Sequence, residues 1–185
     1  MIRKAVIVSI KGLFLTKRET TIFKKEKPWG IILFKRNIIS INQLIKLTNK
    51  IKKIMNDKKF PILIDEEGGR VSRLSSFLDN SIYNQSYFNC VYKSHKLTGI
   101  RLYRAYINSL SKILIKTGIN INTSPVLDLL KKNTHKVIGN RSFSDDQDLV
   151  SQLGKLCVDF YKKNKIGTVV KHIPGHGRAK QDSHF

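Results

Sequence analysis

Short apolar runs alternate along this chain with stretches whose apolar residues recur at helical spacing. Gly30–Phe34 is apolar throughout, which is typical of a strand buried on both faces of a parallel sheet. The other runs are shorter or mixed in composition and lie at Ala5–Ile10, Ile62–Ile64, Ile119–Ser124 and Thr168–Val170. This alternation predicts an α/β fold with five buried strands.

Helix start and stop signals fall between these runs. Thr16 and Glu19 have the spacing of a capping box, and Ser40 precedes a strongly periodic segment that ends near Met55. We expect one long helix over about 94–116, with Gly118 as its terminator, and another helix beginning at Asp145 or Asp146. No element is predicted over 74–93, where no period is evident.

Polar residues follow the carboxyl ends of several predicted strands, which is where (β/α) barrels assemble their sites. We therefore predict an incomplete (β/α)8 TIM barrel of about five β/α units, forming one partial barrel domain over residues 1–185. A complete barrel takes roughly 250 residues and eight strands. The sequence is accordingly expected to be the amino-terminal part of such a barrel.

The formal net charge is +22 at pH 7, which raises the hypothesis of a polyanion partner. The lysines are scattered through every predicted helix and loop, so we interpret them mainly as a solvated face and expect no specific nucleic-acid partner. The apolar run at 5–10 is too short for a secretory or membrane-spanning segment. These features predict a cytoplasmic protein without a membrane partner, and Cys157 falls among core positions of a helix.

The segment after the last predicted strand concentrates groups that can exchange protons. Pro174 and Gly175 exclude a helix that would place His172 and His176 on one face, and we predict no metal site and no cofactor. Asp182 and His184 are two residues apart, so a carboxylate could fix the imidazole tautomer of a general acid/base. A polar surface turn is the alternative explanation of the same spacing.

Four segments resemble one enzyme family. KHIPGHG at 171–177 with DSH at 182–184, IDEEGGRVSR at 64–73, SPVLD at 124–128 and VIGNRSF at 137–143 are similar to signatures of bacterial β-N-acetylhexosaminidases of glycoside hydrolase family 3. They occur in the order of the family, and the resemblance runs from about Trp29 to the end. It implies a TIM-barrel hydrolase that removes terminal β-linked N-acetylglucosamine, with muropeptides and peptidoglycan recycling as its context.

The resemblance also implies residue roles. His184 would be the general acid/base, Asp182 its orienting partner, and the sugar would be bound by Asp65, Arg73, Arg141, Lys171 and His172. The nucleophile of the family is an aspartate carboxyl-terminal to the DSH segment, so we expect it either to be lost or to reside on a complementing C-terminal polypeptide. Alternatives are a β-glucosidase of the same family, an inactive sugar-binding remnant and a basic polyanion-binding protein. The structural alternative for the 64–73 loop is that Arg70 or Arg73 simply pairs with Glu66 or Glu67.

Overall fold

The computed structural model describes residues 2–131 and 136–177. Five strands alternate with five α-helices, in agreement with the predicted α/β fold. The strands are β1 (Lys4–Ser9), β2 (Pro28–Leu33), β3 (Ile62–Ile64), β4 (Ile121–Asn122) and β5 (Gly167–Thr168). The helices are α1 (Lys17–Glu26), α2 (Ile41–Ile54), α3 (Gln85–Ser94), α4 (Lys96–Lys116) and α5 (Gln147–Lys163).

All five strands form one parallel sheet in the order β1-β2-β3-β4-β5. Each strand therefore pairs with the strand next to it in sequence, as successive strands of a (β/α) barrel do. The sheet continues beyond β4 and β5 as a single bridge between Val126 and Lys171. This arrangement confirms the predicted incomplete barrel type and brings the segments after β3, β4 and β5 to one edge.

The caps expected from the sequence are present. Thr16 accepts a hydrogen bond from the backbone N–H of Glu19, and Glu19 accepts one from the backbone of Thr16. Ser40 caps α2 and Asp146 caps α5, each through its side-chain oxygen. Gly118 follows α4 with a φ of +78°, a conformation that glycine adopts without strain.

The helical side of the sheet is closely packed. Ile31, Leu33, Ile62 and Ile64 are fully buried, and Cys157 is buried as predicted. α4 packs against both α3 and α5. Among the described residues, no helix combines the length and the apolar character needed to cross a membrane.

Three expectations were wrong. β1 is largely exposed, with Val6 and Ile7 each 47% accessible, because it has a partner strand on one side only within the described residues. β5 is shorter than expected, and Val169 and Val170 beyond it are exposed. No element was expected over 74–93, but α3 occupies most of the second half of that stretch. The single helix predicted over about 94–116 is confirmed as α4.

Candidate functional site

The candidate site is a cavity of about 270 Å³ at the carboxyl edge of the sheet. β3 delivers the segment that begins with Asp65, β4 leads to Asp128, and the chain beyond β5 carries Lys171 and His172. Because the strands are parallel, these segments end side by side. The cavity is lined by Asp65, Glu67, Val71, Arg73, Val137, Ile138, Arg141, Lys171, His172 and His176.

Asp65 is the centre of one charge cluster. Its Oδ1 accepts hydrogen bonds from Lys171 Nζ at 2.9 Å and from the Thr123 hydroxyl. Arg73 Nη2 lies 3.5 Å from the other carboxylate oxygen. Burial alone would raise the pKa of Asp65, but Lys171, Thr123 and Arg73 outweigh it and hold the pKa below the usual aspartate value. Asp65 is therefore an anionic acceptor at neutral pH.

Arg73 keeps part of its donor capacity. Its Nε is buried and has no hydrogen-bond partner among the described residues. The guanidinium also lies 5.8 Å from the centre of the Phe34 ring, which restricts its position. A planar donor held beside a cavity in this way is suited to hydroxyl or carbonyl oxygens of a ligand.

Glu67 joins two cations and was not predicted as a site residue. Its carboxylate accepts from Arg141 Nε at 2.8 Å and Nη2 at 3.0 Å, and Lys171 Nζ lies 2.5 Å from Oε1. The side chain of Glu67 is 2% exposed. Burial would lower the pKa of Arg141, but Glu67 more than compensates and raises it, so the guanidinium stays charged. The sequence feature that could have identified Glu67 is that it is the second carboxylate of the Glu66-Glu67 pair.

Asp128 holds the loop that follows β5. Its Oδ2 lies 2.6 Å from His172 Nδ1, and Oδ1 accepts from the backbone N–H groups of His176 and Gly177. His172 Nε2 is in turn 3.5 Å from Arg141 Nη2. Within the described residues, no group of three or more His, Cys, Asp or Glu side chains is placed to bind a metal ion.

The structure brings together the five predicted sugar-binding residues, since Asp65, Arg73, Arg141, Lys171 and His172 all line the cavity. Their roles remain predictions. The two predicted catalytic residues, Asp182 and His184, lie outside the described residues.

The alternative in which Arg70 or Arg73 pairs with Glu66 or Glu67 is wrong. Arg70 donates to the backbone carbonyls of Lys136, Val137 and Ile138, and neither arginine forms an ion pair with Glu66 or Glu67. Arg70 thus fixes the backbone just before Arg141.

The two glycines of the 64–73 segment, Gly68 and Gly69, face the protein's own chain at Tyr83 and Asn84. A Cβ on Gly68 would lie 2.0 Å from the Tyr83 carbonyl oxygen, and one on Gly69 would lie 2.8 Å from Asn84 Cβ. Both glycines have positive φ, so a side chain would be strained as well. Their role is to let this loop pack against the segment that precedes α3.

Comparison with known proteins assigns this chain to a family. Residues 7–185 match the N-terminal domain of glycosyl hydrolase family 3. The chain belongs to glycosyl hydrolase family 3. It is 28% identical over 179 residues to a beta-hexosaminidase of Xanthomonas campestris pv. campestris, covering 97% of this chain and 53% of that protein.

Solved structures of family 3 members agree with this assignment. NagZ from Neisseria gonorrhoeae, solved in complex with N-trifluoroacetyl-D-glucosamine, superposes with a TM-score of 0.88 at 31% identity, over 99% of this chain and 53% of that chain. A family 3 beta-N-acetylglucosaminidase from Paenibacillus sp. gives a TM-score of 0.85 at 28% identity, over 96% of this chain and 33% of that chain. The chain thus spans about half the length of the curated relatives it matches.

The ion pairs of Asp65 should make the stability of this domain depend on pH. The folded-state pKa of Asp65 is lowered, so its ion pairs contribute their full stabilisation above the unfolded pKa of about 4. That contribution disappears as the pH falls through the lower folded-state pKa. We expect the free energy of unfolding to fall more steeply below pH 4 in the wild type than in Asp65→Asn, as measured by urea denaturation. The exposed Asp159→Asn should keep the wild-type slope, and an equal slope in Asp65→Asn would contradict the prediction.

Proposed function

We propose that this chain is the amino-terminal part of a β-N-acetylhexosaminidase that removes terminal β-linked N-acetylglucosamine from saccharides, muropeptides among them. The observation that carries the proposal is the convergence of Asp65, Arg73, Arg141, Lys171 and His172 on one cavity. This set combines one anionic acceptor, Asp65, with three cations and an imidazole. Such a lining is suited to a neutral, hydroxyl-rich ligand, because each hydroxyl can both donate and accept.

Each residue has a distinct part in the proposed complex. Asp65 accepts from sugar hydroxyls, and Arg73, whose guanidinium lines the cavity, donates to them. Lys171 and Arg141 are held in place by Glu67. Lys171 already contacts Asp65, Thr123 and Glu67, so it acts on the ligand through its charge, whereas Arg141 keeps donor capacity on Nη1. His172 contributes a ring nitrogen at the side of the cavity nearest Arg141.

The proposed chemistry is hydrolysis with retention through a covalent glycosyl-enzyme intermediate. His184, oriented by Asp182, protonates the leaving-group oxygen and later deprotonates the attacking water. The family resemblance implies an aspartate nucleophile carboxyl-terminal to these residues, and a C-terminal segment that complements this domain supplies it. Without a nucleophile, an acid/base alone gives little retaining hydrolysis.

The edges of the sheet support a complementing polypeptide. Within the described residues β1 and β5 each pair on one side only, and apolar residues are exposed at both edges, at Val6, Ile7, Val169 and Val170. An unpaired edge of this kind readily takes up a further strand. The relatives, which are about twice as long as the matched region, have additional chain available for that purpose.

A cytoplasmic location and a role in peptidoglycan recycling complete the proposal. Cys90 and Cys157 are both free thiols, which is typical of proteins in a reducing compartment. The substrate context is the one that the family resemblance implies.

One other function has an observation in its favour. The net charge of +22 favours binding of a polyanion such as RNA, because lysines that neutralise phosphates release counterions. Such binding would be strongly salt-dependent and would not need the cavity. A sugar titration therefore separates the two functions.

The test is binding of N-acetylglucosamine to the purified chain, followed by two-dimensional NMR. We expect saturable shifts at the cavity residues, and we expect Arg141→Ala to weaken binding by about tenfold or more because it removes a charged donor. The exposed Arg101→Ala on α4 is the matched control. Tighter binding of glucose would favour the β-glucosidase alternative. No sugar binding together with tight, salt-sensitive RNA binding would replace the proposal with the polyanion function.

A further inference from the structure

Asp128 is a buried carboxylate with an unusual share of the hydrogen bonds near the cavity. Its side chain is fully buried, and it accepts from three backbone N–H groups, those of His172, His176 and Gly177, as well as contacting His172 Nδ1. Both ends of the loop at 172–177 are therefore tied to one side chain. The SPVLD segment that carries Asp128 follows β4, the strand beside β5.

The contact with His172 Nδ1 decides which ring nitrogen carries the proton. At 2.6 Å from a carboxylate oxygen, Nδ1 must hold hydrogen, since two acceptors at that distance would repel. The hydrogen bonds from His172 and from the loop outweigh burial and keep the pKa of Asp128 below its usual value, so the carboxylate is an acceptor only. In neutral His172 the lone pair is then on Nε2, the nitrogen nearest the cavity residue Arg141.

We propose that Asp128 is a positioning residue that locks His172 in the Nδ1–H tautomer, so that Nε2 accepts a hydrogen bond from a ligand hydroxyl. The same carboxylate fixes the loop that precedes Asp182 and His184 in the sequence. The part that concerns the ligand rests on the proposed sugar-binding function, whereas the tautomer does not. A histidine that accepts rather than donates complements the donors Arg73 and Arg141, which also line the cavity.

The tautomer can be measured directly on the 185-residue chain. Long-range ¹H–¹⁵N correlation spectra at pH 8 distinguish the protonated from the unprotonated ring nitrogen, and His172→Gln identifies the His172 signals among those of the five histidines. We expect a protonated Nδ1 and an unprotonated Nε2 in the wild type. In Asp128→Asn the amide can donate to Nδ1, so the proton should move to Nε2.

Asp145→Asn is the matched control, because Asp145 is an exposed carboxylate just before α5 that pairs with Ser144 and not with His172. It should leave the His172 signals unchanged. A proton on Nε2 in the wild type overturns the proposal whether or not Asp128→Asn folds, and so does an unchanged tautomer in a folded Asp128→Asn.

Ligand binding separates this proposal from the function it builds on. N-acetylglucosamine should bind Asp128→Asn about tenfold more weakly than the wild type, because a protonated Nε2 can no longer accept a hydrogen bond from the sugar hydroxyl. If His172 has the Nδ1–H tautomer in the wild type but the chain binds no sugar, the hexosaminidase function is overturned and the positioning role of Asp128 stands. Wild-type affinity in an Asp128→Asn chain with a changed tautomer would overturn the acceptor role of Nε2.

Discussion

Replacing His184 with alanine is expected to lower kcat by about 10²- to 10⁴-fold for a substrate with a poor leaving group, the usual contribution of a general acid/base. The assay requires a nucleophile, so the chain is joined at its carboxyl terminus to the part of Neisseria gonorrhoeae NagZ that follows the matched region. Hydrolysis of a chromogenic β-N-acetylglucosaminide is measured for this extended chain and for the 185-residue chain. We expect activity in the extended chain only.

The leaving group tests the role itself. A 2,4-dinitrophenyl glycoside needs little protonation to depart, so His184→Ala should slow its cleavage far less than that of an alkyl glycoside. Asp182→Asn should lower kcat less than His184→Ala but with the same dependence on the leaving group, because it disturbs the imidazole without removing it. His95→Ala, at the exposed junction of α3 and α4, serves as the control. A near-normal kcat in His184→Ala for both substrates would exclude the acid/base role.

Removing the Glu67 carboxylate should have the largest effect on stability. Glu67→Ala leaves the half-buried cations Arg141 and Lys171 without their shared partner, and breaking a buried pair in this way costs about 3–5 kcal/mol. Glu67→Gln should cost less, since an amide oxygen can still accept one of the hydrogen bonds. The measurement is the free energy of unfolding from urea denaturation at pH 7.

Glu26→Ala is the matched control for this experiment. Glu26 pairs with Lys4 at the surface, where solvent screens an ion pair and leaves it little effect on stability. We expect Glu26→Ala to unfold at nearly the wild-type urea concentration. Equal midpoints for Glu67→Ala and Glu26→Ala would show that the Arg141–Glu67–Lys171 cluster contributes nothing to the fold.

Local features of this fold were predictable from the sequence. The capping box of Thr16 and Glu19, the cap of α2 at Ser40 and the terminator Gly118 depend on neighbours a few residues away, and all are present. The parallel sheet followed from the alternation of apolar runs and helices. The cavity residues were located through motifs at strand ends, which a parallel sheet brings to one edge.

Features that depend on distant parts of the chain were not predictable. The exposure of Val6 depends on whether a strand lies beside β1, which its own sequence does not state. Glu66 and Glu67 are adjacent and chemically alike, yet Glu66 accepts from Arg73 N and Leu74 N inside the loop, whereas Glu67 faces the cavity. Burial raises the pKa of Glu66 accordingly. Only the path of the backbone distinguishes these two carboxylates.

The strand order has a consequence for synthesis on the ribosome. Because every strand pairs with the one just before it, each new β/α unit can dock on a sheet that has already left the exit tunnel. The longest connection between paired strands runs from Ile64 to Ile121 and contains the helices α3 and α4. Because these helices fold locally, less flexible chain has to be closed when β4 pairs with β3. The charge cluster of Asp65, Glu67 and Lys171 closes last, so the candidate site should become protease-resistant only after β5 has been translated.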